Sequence, residues 1–497
     1  MNTLMLLDMA VSGFGDRVAL GSRRNGITYA QLRGAAAAGA KLIREGGRRT
    51  VVFVGENGPA FPLAMFAAAA ANVPFLPLNY RLAPEAIADA LAKHDAPLLI
   101  AGEKIAALAG EEVTWIPLTD WPARCLAESE LDLPVEFADA DDVAVLLQTS
   151  GTTSAPKSAV LRHRHLASYA LGTVEFGAAD ADEATLVAVP PYHIAAVANL
   201  LTNLYAGRRI VYLDAFSPTG WLDIVRGEGI THTMVVPTML ARIVNELELT
   251  GATAPGSLRS LSYGGAKMPR PVIEKALHLF PGTDFVNAYG LTETSSSIAV
   301  LFPEDHRAAA ASNDPAVRAR LGSVGRPLPG ITIEIRDDRG EICPPNVPGE
   351  IWVRGAQVAG EYLESGTLLD ADGWFATRDH GHVDEEGYLF VGGRSDDTII
   401  RGGENIAPAE VEDVILDHPA VAEVAVAGVD DDEWGHRIVA FVVTKSGQPV
   451  DPQDIREWVR ARLRSSRTPD EVLFLSELPQ TATGKILRRE LVKLAAG

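Results

Sequence analysis

The stretch VAVLLQTSGTTSAPKS (143–158) joins an apolar run to a segment rich in hydroxyl side chains that ends in a lysine and a serine. A short apolar run of this kind is typical of a buried strand. Comparable apolar runs recur through the first half of the chain at TVVFVG (50–55), VPFLPL (73–78), PLLIA (97–101), TLVAVP (185–190), RIVYL (209–213), TMVVP (233–237) and DFVNAYG (284–290). Alanine-rich helical patterns alternate with them, at FPLAMFAAAAA (61–71) and PEAIADALAKH (84–94). This alternation predicts an α/β fold, with parallel or mixed sheets covered by helices in α-β-α layers.

Polar residues follow two of these strands at the point where each strand ends. They are the residues after the apolar part of VAVLLQTSG (143–151) and of DFVNAYGLTET (284–294). In open parallel sheets, ligands bind beyond the carboxyl ends of the strands. We therefore expect a ligand site that both segments share.

The pattern changes near residue 329. Alternating strands separated by Gly, Pro and Asp predict a small antiparallel barrel or sheet there: ITIEI (331–335), GEIWVRG (349–355) and GYLFVGG (387–393). A compact α+β segment follows GRSDD (393–397), and its last helix is predicted from Gly484. We predict a large domain over residues 1–395, with its β subdomain at about 329–395, and a small domain over residues 396–497.

Composition excludes several classes of protein. A chain of 497 residues is too long for one ordinary core, and its net charge of −21 disfavours nucleic acid as a partner. Cys125 and Cys343 lack metal-type spacing and suit a reducing cytoplasm. The N-terminus has no basic region and Asp8 interrupts its apolar run, so we expect no signal peptide. Prolines interrupt the apolar stretch 61–78, which disfavours a membrane span. We expect a cytoplasmic protein, and a homodimer is compatible with the sequence.

The hydroxyl-rich loop is not the common phosphate loop of nucleotide hydrolases. That loop needs G-x-x-x-x-G-K-[ST], whose backbone amides and lysine surround phosphate. Residues 148–158 contain no Gly-Lys pair, and Gly484-Lys485 is followed by Ile486 and lacks the first glycine. Taken alone, the loop is compatible with phosphate binding or with a plain polar loop.

Six segments in a fixed order resemble the signatures of the adenylate-forming superfamily, which includes acyl-CoA synthetases, carrier-loading adenylation domains and luciferases. They are TSGTTSAPKS (149–158), SYGGAKMP (262–269), NAYGLTET (287–294), GWFATRDHGHVDEEGYLFVGGRSDD (373–397), RGGENIAPAEVE (401–412) and PQTATGKILRREL (479–491). The sequence departs from the family at Ser154, Ser158 and Arg378, where glycine is common. One alternative is therefore a non-catalytic homologue disabled by these changes.

The resemblance assigns most of these residues to ATP or AMP. It implies phosphate contacts from the first segment and contacts to adenine, ribose and the α-phosphate from the others: Thr149, Ser150, Gly151, Thr152, Thr153, Lys157, Gly264, Gly265, Ala266, Asn287, Ala288, Tyr289, Gly290, Thr292, Asp379 and Arg394. Tyr289 matches the residue that stacks on adenine, and Asp379 matches the ribose-binding carboxylate. Glu293 matches the Mg²⁺ ligand, consistent with the preference of Mg²⁺ for carboxylate and phosphate oxygens.

The resemblance also implies a mobile small domain that serves two half-reactions in turn. Lys485 would neutralise charge during adenylation, with Thr292, Glu293 and His193 as further catalytic residues, and Asp396 occupies the hinge position. The implied coenzyme A contacts are Gly402, Gly403, Trp434 and Arg467. A lone histidine such as His193 is equally compatible with a structural role.

The chemistry implied is ATP-dependent activation of a carboxylic acid to acyl-AMP, with release of pyrophosphate and then transfer to the thiol of CoA. PPYHIAAVANL (190–200) has no acidic residue to pair with an amino acid's ammonium and no arginine for a second carboxylate. Its apolar character favours a fatty, alicyclic or aryl monocarboxylate. The expected cofactors are ATP, Mg²⁺ and coenzyme A, and the partner is a small-molecule carboxylic acid. The alternative is a free-standing acyl-AMP ligase that loads the phosphopantetheine of a carrier protein.

Overall fold

The structure is a computed structural model with side chains. It describes residues 1–107, 113–130, 133, 135, 137–149, 157–394, 397–401, 404–431, 434–445, 448, 450–463, 465–481 and 485–495.

Helices and strands alternate through the first two thirds of the chain. The helices are α1 (Thr3–Phe14), α2 (Tyr29–Glu45), α3 (Ala60–Ala71), α4 (Pro84–Ala92), α5 (Glu103–Ala106), α6 (Asp120–Leu126), α7 (His163–Thr173), α8 (Ile194–Ala206), α9 (Pro218–Gly227), α10 (Pro237–Thr250), α11 (Arg270–Leu279), α12 (Pro303–Ala311), α13 (Pro315–Ala319), α14 (Pro408–Leu416), α15 (Pro452–Arg460) and α16 (Arg488–Ala495). The strands are β1 (Val18–Leu20), β2 (Ile27–Thr28), β3 (Thr50–Val54), β4 (Phe75–Pro77), β5 (Pro97–Ala101), β6 (Thr114–Pro117), β7 (Val143–Thr149), β8 (Lys157–Arg162), β9 (Ala184–Val187), β10 (Arg209–Tyr212), β11 (His232–Val235), β12 (Ser260–Gly264), β13 (Asp284–Leu291), β14 (Ser296–Leu301), β15 (Arg326–Pro327), β16 (Thr332–Arg336), β17 (Gly349–Arg354), β18 (Glu361–Tyr362), β19 (Gly366–Thr367), β20 (Phe375–Val383), β21 (Leu389–Arg394), β22 (Ile399–Arg401), β23 (Glu404–Ile406), β24 (Val421–Asp431), β25 (Gly435–Thr444) and β26 (Glu471–Phe474).

Two mixed sheets form the α/β part of the molecule. One has the order β15-β14-β13-β12-β11-β9-β10-β1-β2, and the other has the order β19-β18-β8-β7-β4-β3-β5-β6. Strands β9 to β13 pair in parallel in the first sheet, as do β3 to β7 in the second. The predicted α/β fold is therefore confirmed, and the antiparallel edges make both sheets mixed.

Apolar sequence explains why the helix between β3 and β4 is buried rather than exposed. Every residue of α3 is buried, and β3 is buried along its whole length. Alanine is the best helix former and its small side chain lets neighbouring helices approach closely. α3 packs in one apolar cluster together with residues of α1, α2 and α8. No helix among the described residues is long and apolar enough to cross a membrane.

The last third of the chain is built from two smaller sheets. The predicted antiparallel β subdomain has the strand order β16-β17-β20-β21. In the α+β segment, β23-β22-β25-β24 pair in sequence and β26 joins β25 in parallel. The predicted start of the last helix at Gly484 is wrong, because α16 begins at Arg488. Gln480 forms an antiparallel bridge with Ile486 instead, and the Lys485 amide donates to Thr481 Oγ1 at 3.1 Å.

Buried neutral histidine makes part of this fold sensitive to acid. His163, at the start of α7, is 1% exposed, and its Nδ1 accepts from the backbone amide and hydroxyl of Thr3 at 3.3 and 3.0 Å. Burial lowers the pKa of His163 from 6.5 to about 4. Because the pKa in the folded state is lower, neutral His163 stabilises the fold above pH 6.5, and this contribution is lost as the pH falls toward 4.

We expect His163→Asn to flatten the dependence of unfolding free energy on pH between 6.5 and 4. The asparagine carbonyl keeps a hydrogen-bond acceptor near Thr3 but does not titrate. The change in unfolding free energy that the variant no longer shows between these pH values is about 3 kcal/mol at most. Denaturant unfolding at a series of pH values measures it. The same change at His278, which is exposed, serves as the control. Equal slopes in the His163 variant and the unmodified protein would contradict the prediction.

Candidate active site

The tip of the β7–β8 hairpin carries the hydroxyl-rich loop. Thr149 pairs with Lys157 across the hairpin, and its hydroxyl donates to the Lys157 carbonyl at 3.3 Å. The predicted phosphate contacts Ser150, Gly151, Thr152 and Thr153, and the departure at Ser154, lie outside the described residues. The structure therefore places the two ends of the loop, one strand residue on each side.

The second departure, Ser158, lies in a regular strand. Its amide donates to Glu364 Oε2 at 2.9 Å, and its carbonyl accepts from the Leu363 amide at 2.9 Å. Ser158 is buried and is absent from the described non-glycine residues with positive φ. The backbone does not require glycine at this position, so a serine is accommodated without strain.

Glu293 lies beside the hairpin in a short 3₁₀ turn that follows β13, Thr292–Thr294. Its carboxylate accepts a hydrogen bond from the Tyr362 hydroxyl, and its carbonyl accepts from the amides of Ala359 and Gly360 at 2.8 and 3.0 Å. The ammonium of Lys157 is 5.5 Å from the centroid of the Tyr362 ring. Tyr362 thus joins the predicted phosphate lysine to the predicted metal ligand.

The donor set around Glu293 suits Mg²⁺ bound together with a nucleotide. Among the described residues, no group of three or more His, Cys, Asp or Glu could hold a metal ion. A single buried carboxylate leaves the remaining positions of an octahedral ion to phosphate oxygens and water, which is how Mg²⁺ is commonly held with nucleotides. Burial and the Glu293 charge raise the pKa of Tyr362, so this hydroxyl remains a donor at neutral pH.

Tyr289, Asp379 and Arg394 form a second cluster. The Tyr289 hydroxyl donates to Asp379 Oδ2 at 2.6 Å, and Arg394 Nε donates to Asp379 Oδ1 at 2.9 Å. Burial and the Asp379 charge hold the pKa of Tyr289 well above its ordinary value. Both oxygens of the predicted ribose carboxylate are therefore fixed in place, and each retains a further lone pair for a ligand hydroxyl.

Glycine is required where β12, β13 and β14 approach one another. A Cβ at Gly264 would lie 2.3 Å from the Ala288 carbonyl oxygen, and one at Gly290 would lie 1.9 Å from the Ser296 carbonyl oxygen. Gly265 has φ +84°, a left-handed conformation that glycine adopts without strain. Ala266 follows it, two residues beyond the end of β12. The side-chain amide of Asn287 is buried and donates to the Ser323 carbonyl at 2.9 Å, so it supports the strand from behind.

Arg378 explains why glycine is common at its position in the family. Its φ is +60°, in the left-handed region, and it lies at the irregularity where β20 departs from regular pairing with β17. A non-glycine residue in this region carries strain of about 1 kcal/mol. The Arg378 side chain is exposed, and Asp379 keeps its two partners despite the substitution. The departure at Arg378 therefore leaves the predicted ribose carboxylate hydrogen-bonded.

Lys485 reaches this second cluster from the other end of the chain. The residue has solvent-exposed surface, yet enough protein surrounds its side chain to affect its pKa. Burial and the Arg394 guanidinium lower the pKa of Lys485, while Asp379 and Asp397 oppose that shift. The predicted catalytic lysine is therefore close enough to the predicted ribose-binding pair to interact with its charges.

His193 is the N-cap residue of α8, the helix that carries most of the predicted acyl-binding stretch. Its ring centroid lies 4.6 Å from that of Tyr192, and the ring centroids of Tyr192 and Tyr80 are 5.7 Å apart. Burial lowers the pKa of His193 from 6.5 to about 4, so the imidazole is neutral at pH 7. The Tyr192 hydroxyl is buried and has no hydrogen-bond partner within the described part of the chain. An aromatic, uncharged wall of this kind suits an apolar ligand.

The predicted CoA residues Trp434 and Arg467 both belong to the α+β segment. The Arg401 guanidinium lies 5.6 Å from the Trp434 ring centroid and donates to the carbonyl of Thr468, the residue after Arg467, at 3.4 Å. Trp434 is 48% exposed, and Arg467 forms ion pairs with Glu404 and Glu410. The predicted hinge residue Asp396, and Gly402 and Gly403, lie outside the described residues.

Sequence reasoning missed the contacts of three residues with carboxylates: Tyr362 with Glu293, Lys267 with Asp413 and Arg488 with Glu412. Tyr362 lies outside every quoted segment, and its partner Glu293 is 69 positions away in the chain. Lys267 lies within SYGGAKMP (262–269) and Arg488 within PQTATGKILRREL (479–491). Their charge is visible in the sequence, but the carboxylates that they contact are distant in the chain.

Comparison with known proteins agrees with this geometry. A family model described as "AMP-binding enzyme" matches residues 7–363, and one described as "AMP-binding enzyme C-terminal domain" matches residues 410–485. The chain is 36% identical over 476 residues to a feruloyl-CoA synthase of Amycolatopsis sp, covering 94% of this chain and 93% of that protein. It is 32% identical over 490 residues to an indoleacetate–CoA ligase of Aromatoleum aromaticum, covering 95% and 93%.

A solved structure is similar over nearly the whole molecule. O-succinylbenzoate coenzyme A synthetase (MenE) from Bacillus subtilis, in complex with ATP and magnesium ion, has a TM-score of 0.82 at 28% identity and covers 98% of each chain. The clustered tyrosine, aspartate, arginine and lysine side chains lie in the part of the fold that these matches span. On the extent of these matches, the chain belongs to the AMP-binding enzyme family.

Proposed function

We propose that this chain is an AMP-forming acyl-CoA synthetase that activates an aryl monocarboxylate with ATP. The observation that carries the proposal is the hydrogen-bonded cluster of Tyr289, Asp379 and Arg394. The charges of Asp379 and Arg394 act on the pKa of Lys485, a cation from the last hundred residues, so we infer that this lysine faces the carboxylate that would hold the ribose. An amine at this position can neutralise charge where an acid meets the nucleotide.

In the first half-reaction, a carboxylate oxygen attacks the α-phosphorus of ATP. A new P–O bond forms, and the bond to pyrophosphate breaks with its electron pair leaving on pyrophosphate. Lys485 neutralises the negative charge that accumulates between carboxylate and phosphate, and Asp379 orients the ribose. Thr149, Lys157 and Thr292 contact phosphate. Mg²⁺ held by Glu293 would neutralise phosphate charge in this site.

In the second half-reaction, the sulfur of CoA attacks the acyl carbonyl carbon. A C–S bond forms, the bond from carbon to the AMP oxygen breaks, and the thiol proton passes to solvent. A lysine that bridges the carboxylate and the α-phosphate would block the approach of a thiol, so we expect the small domain to turn about the boundary that we place between residues 395 and 396. Trp434, Arg401 and Arg467 then present the other face of that domain to CoA.

We propose the class of acid from the residues of the predicted acyl-binding stretch and from the related enzymes. The stretch 190–200 offers Tyr192 and neutral His193, and it has neither an acidic residue nor an arginine. The related feruloyl-CoA synthase and indoleacetate–CoA ligase are named for acids with aromatic rings. The residues of this stretch disfavour an amino acid or a dicarboxylate, and the names of these two relatives favour an aryl acid over a straight-chain fatty acid.

Acid-dependent ATP–pyrophosphate exchange across a panel of acids tests the proposal. The panel contains hydroxycinnamates, arylacetates, medium-chain fatty acids and amino acids, and thioester formation is then assayed with CoA or with a phosphopantetheinylated carrier protein. We expect exchange with aryl acids and thioester formation with CoA. Exchange with an acid, followed by thioester formation with the carrier protein but not with CoA, would favour the carrier-loading alternative. No exchange with any acid would favour a non-catalytic homologue.

Tyr362→Phe is expected to weaken the response to Mg²⁺. Its hydroxyl donates to Glu293, and loss of a hydrogen bond that orients a metal ligand costs about tenfold in metal affinity. The Mg²⁺ concentration that gives the half-maximal adenylation rate should rise about tenfold, and the rate at saturating Mg²⁺ should equal that of the unmodified enzyme. Tyr388→Phe, which removes a 2.6 Å hydrogen bond to Asp305 elsewhere, is the control. An equal loss at every Mg²⁺ concentration would contradict this role.

A further inference from the structure

One ion pair joins the sheet edge of the nucleotide site to the small domain. Lys267 directly follows Gly264, Gly265 and Ala266, and its ammonium is 2.6 Å from the Asp413 carboxylate on α14. The two side chains are 39% and 59% exposed. The pair therefore spans the proposed boundary between domains and lies at the surface, where it can form and break without a large desolvation cost.

The same turn of α14 also supports the segment that carries the catalytic lysine. Glu412, next to Asp413, binds Arg488, and Arg488 binds Asp397 at 3.3 Å and the Val426 carbonyl at 3.1 Å. Arg488 begins α16, three residues after Lys485. Helix α14 thus has one acidic residue toward the large domain and its neighbour toward the lysine segment.

We propose that Lys267 is a positioning residue whose ion pair with Asp413 holds the small domain in the orientation for adenylation. The inference rests on the proposed function, because it assigns the pair to the first of the two half-reactions. The pair has to break before the small domain turns, so Lys267 favours acyl-AMP formation and opposes thioester formation.

The exposure of the pair sets the size of the effect. Exposed ion pairs contribute up to about 1 kcal/mol, which is about fivefold in an equilibrium. Such a bias favours one orientation and still allows the other to be reached in each turnover. Reversing one charge replaces attraction with repulsion, so we expect an effect of about five- to tenfold on the half-reaction that needs the closed pair.

The first experiment compares the two half-reactions in Lys267→Glu. Acyl-AMP formation should fall about five- to tenfold, while thioester formation from added acyl-adenylate is unchanged or faster. The double variant Lys267→Glu/Asp413→Lys should restore acyl-AMP formation. Lys275→Glu is the matched control, because its 2.8 Å pair with Glu248 joins two helices of the large domain. Equal losses in both half-reactions, or no rescue by the double variant, would overturn the proposal.

The second experiment reads orientation without turnover. The double variant Lys267→Cys/Asp413→Cys is treated with a short bifunctional maleimide. It is made in a Cys343→Ser background because Cys343 is partly exposed, whereas Cys125 is buried and can stay. We expect an intramolecular crosslink that retains single-turnover acyl-AMP formation and blocks thioester formation. Absence of the crosslink would overturn the proposed contact. An enzyme that crosslinks but shows no acid-dependent exchange even before modification would instead contradict the proposed function.

Discussion

Replacing Lys485 with alanine is expected to reduce acyl-AMP formation by about a hundred- to a thousandfold, the loss typical of removing one group that stabilises transition-state charge. Lys485 is placed so that its ammonium interacts with Arg394 and Asp379, beside the position proposed for the ribose. Without this cation, negative charge on the incoming carboxylate and on the α-phosphate would be unscreened as the two approach. Pre-steady-state formation of acyl-AMP measures this step directly.

The second half-reaction separates this role from damage to the fold. Thioester formation from added acyl-adenylate should be retained in Lys485→Ala, because the lysine withdraws before the thiol enters. Lys493→Ala, on α16 and paired with Glu490 at 3.1 Å, should leave both half-reactions unchanged. Equal losses in the two half-reactions of Lys485→Ala would reject its assignment to adenylation.

Replacing Asp379 with asparagine is expected to lower kcat/KM for ATP by about two to three orders of magnitude. Truncating one partner of a buried charge pair costs roughly 2–5 kcal/mol. The asparagine amide cannot accept from both Tyr289 and Arg394, which now donate to the two carboxylate oxygens at 2.6 and 2.9 Å. Most of the loss should appear in KM for ATP, because ribose binding precedes the chemistry.

The pH profile gives Asp379→Asn a second, independent readout. The Asp379 charge raises the pKa of Lys485 against the effects of burial and Arg394. Removing that charge lowers the pKa further, so the loss of adenylation at alkaline pH should begin at a lower pH than in the unmodified enzyme. Asp370→Asn, whose carboxylate lies 3.9 Å from Arg336 in the β subdomain, should leave both readouts unchanged. An unaltered KM for ATP in Asp379→Asn would contradict the assignment.

Much of the fold was predictable because its strands are continuous apolar runs. The runs at 50–55, 97–101 and 284–290 correspond to β3, β5 and β13, and the alanine-rich run at 61–71 corresponds to α3. No element was predicted over β20, because its polar residues Arg378, Asp379 and His380 mask the strand pattern. The start of α16 was misplaced because the backbone pairing of Gln480 with Ile486 leaves no periodic signal.

The active site also contains residues that the sequence predicts and contacts that it does not predict. Tyr289, Glu293, Asp379 and Lys485 could be predicted as site residues because they lie in recognisable segments, and in the structure Tyr289 and Asp379 share a hydrogen bond. Tyr362 and Lys267 act through carboxylates 69 and 146 positions away. Periodicity describes only near neighbours along the chain, so contacts of this range become visible only in three dimensions.

The anchoring of Ser158 by Leu363 and Glu364 bears on how the enzyme matures during translation. The strand that leads out of the hydroxyl-rich loop is pinned by amide and carboxylate contacts from residues about 200 positions later. A nascent chain that ends before residue 362 lacks these contacts and also the tyrosine that donates to Glu293. Because Asp379, Arg394 and Lys485 follow still later in the sequence, we expect a ribosome-bound chain to become competent for adenylation only after its last segment has emerged.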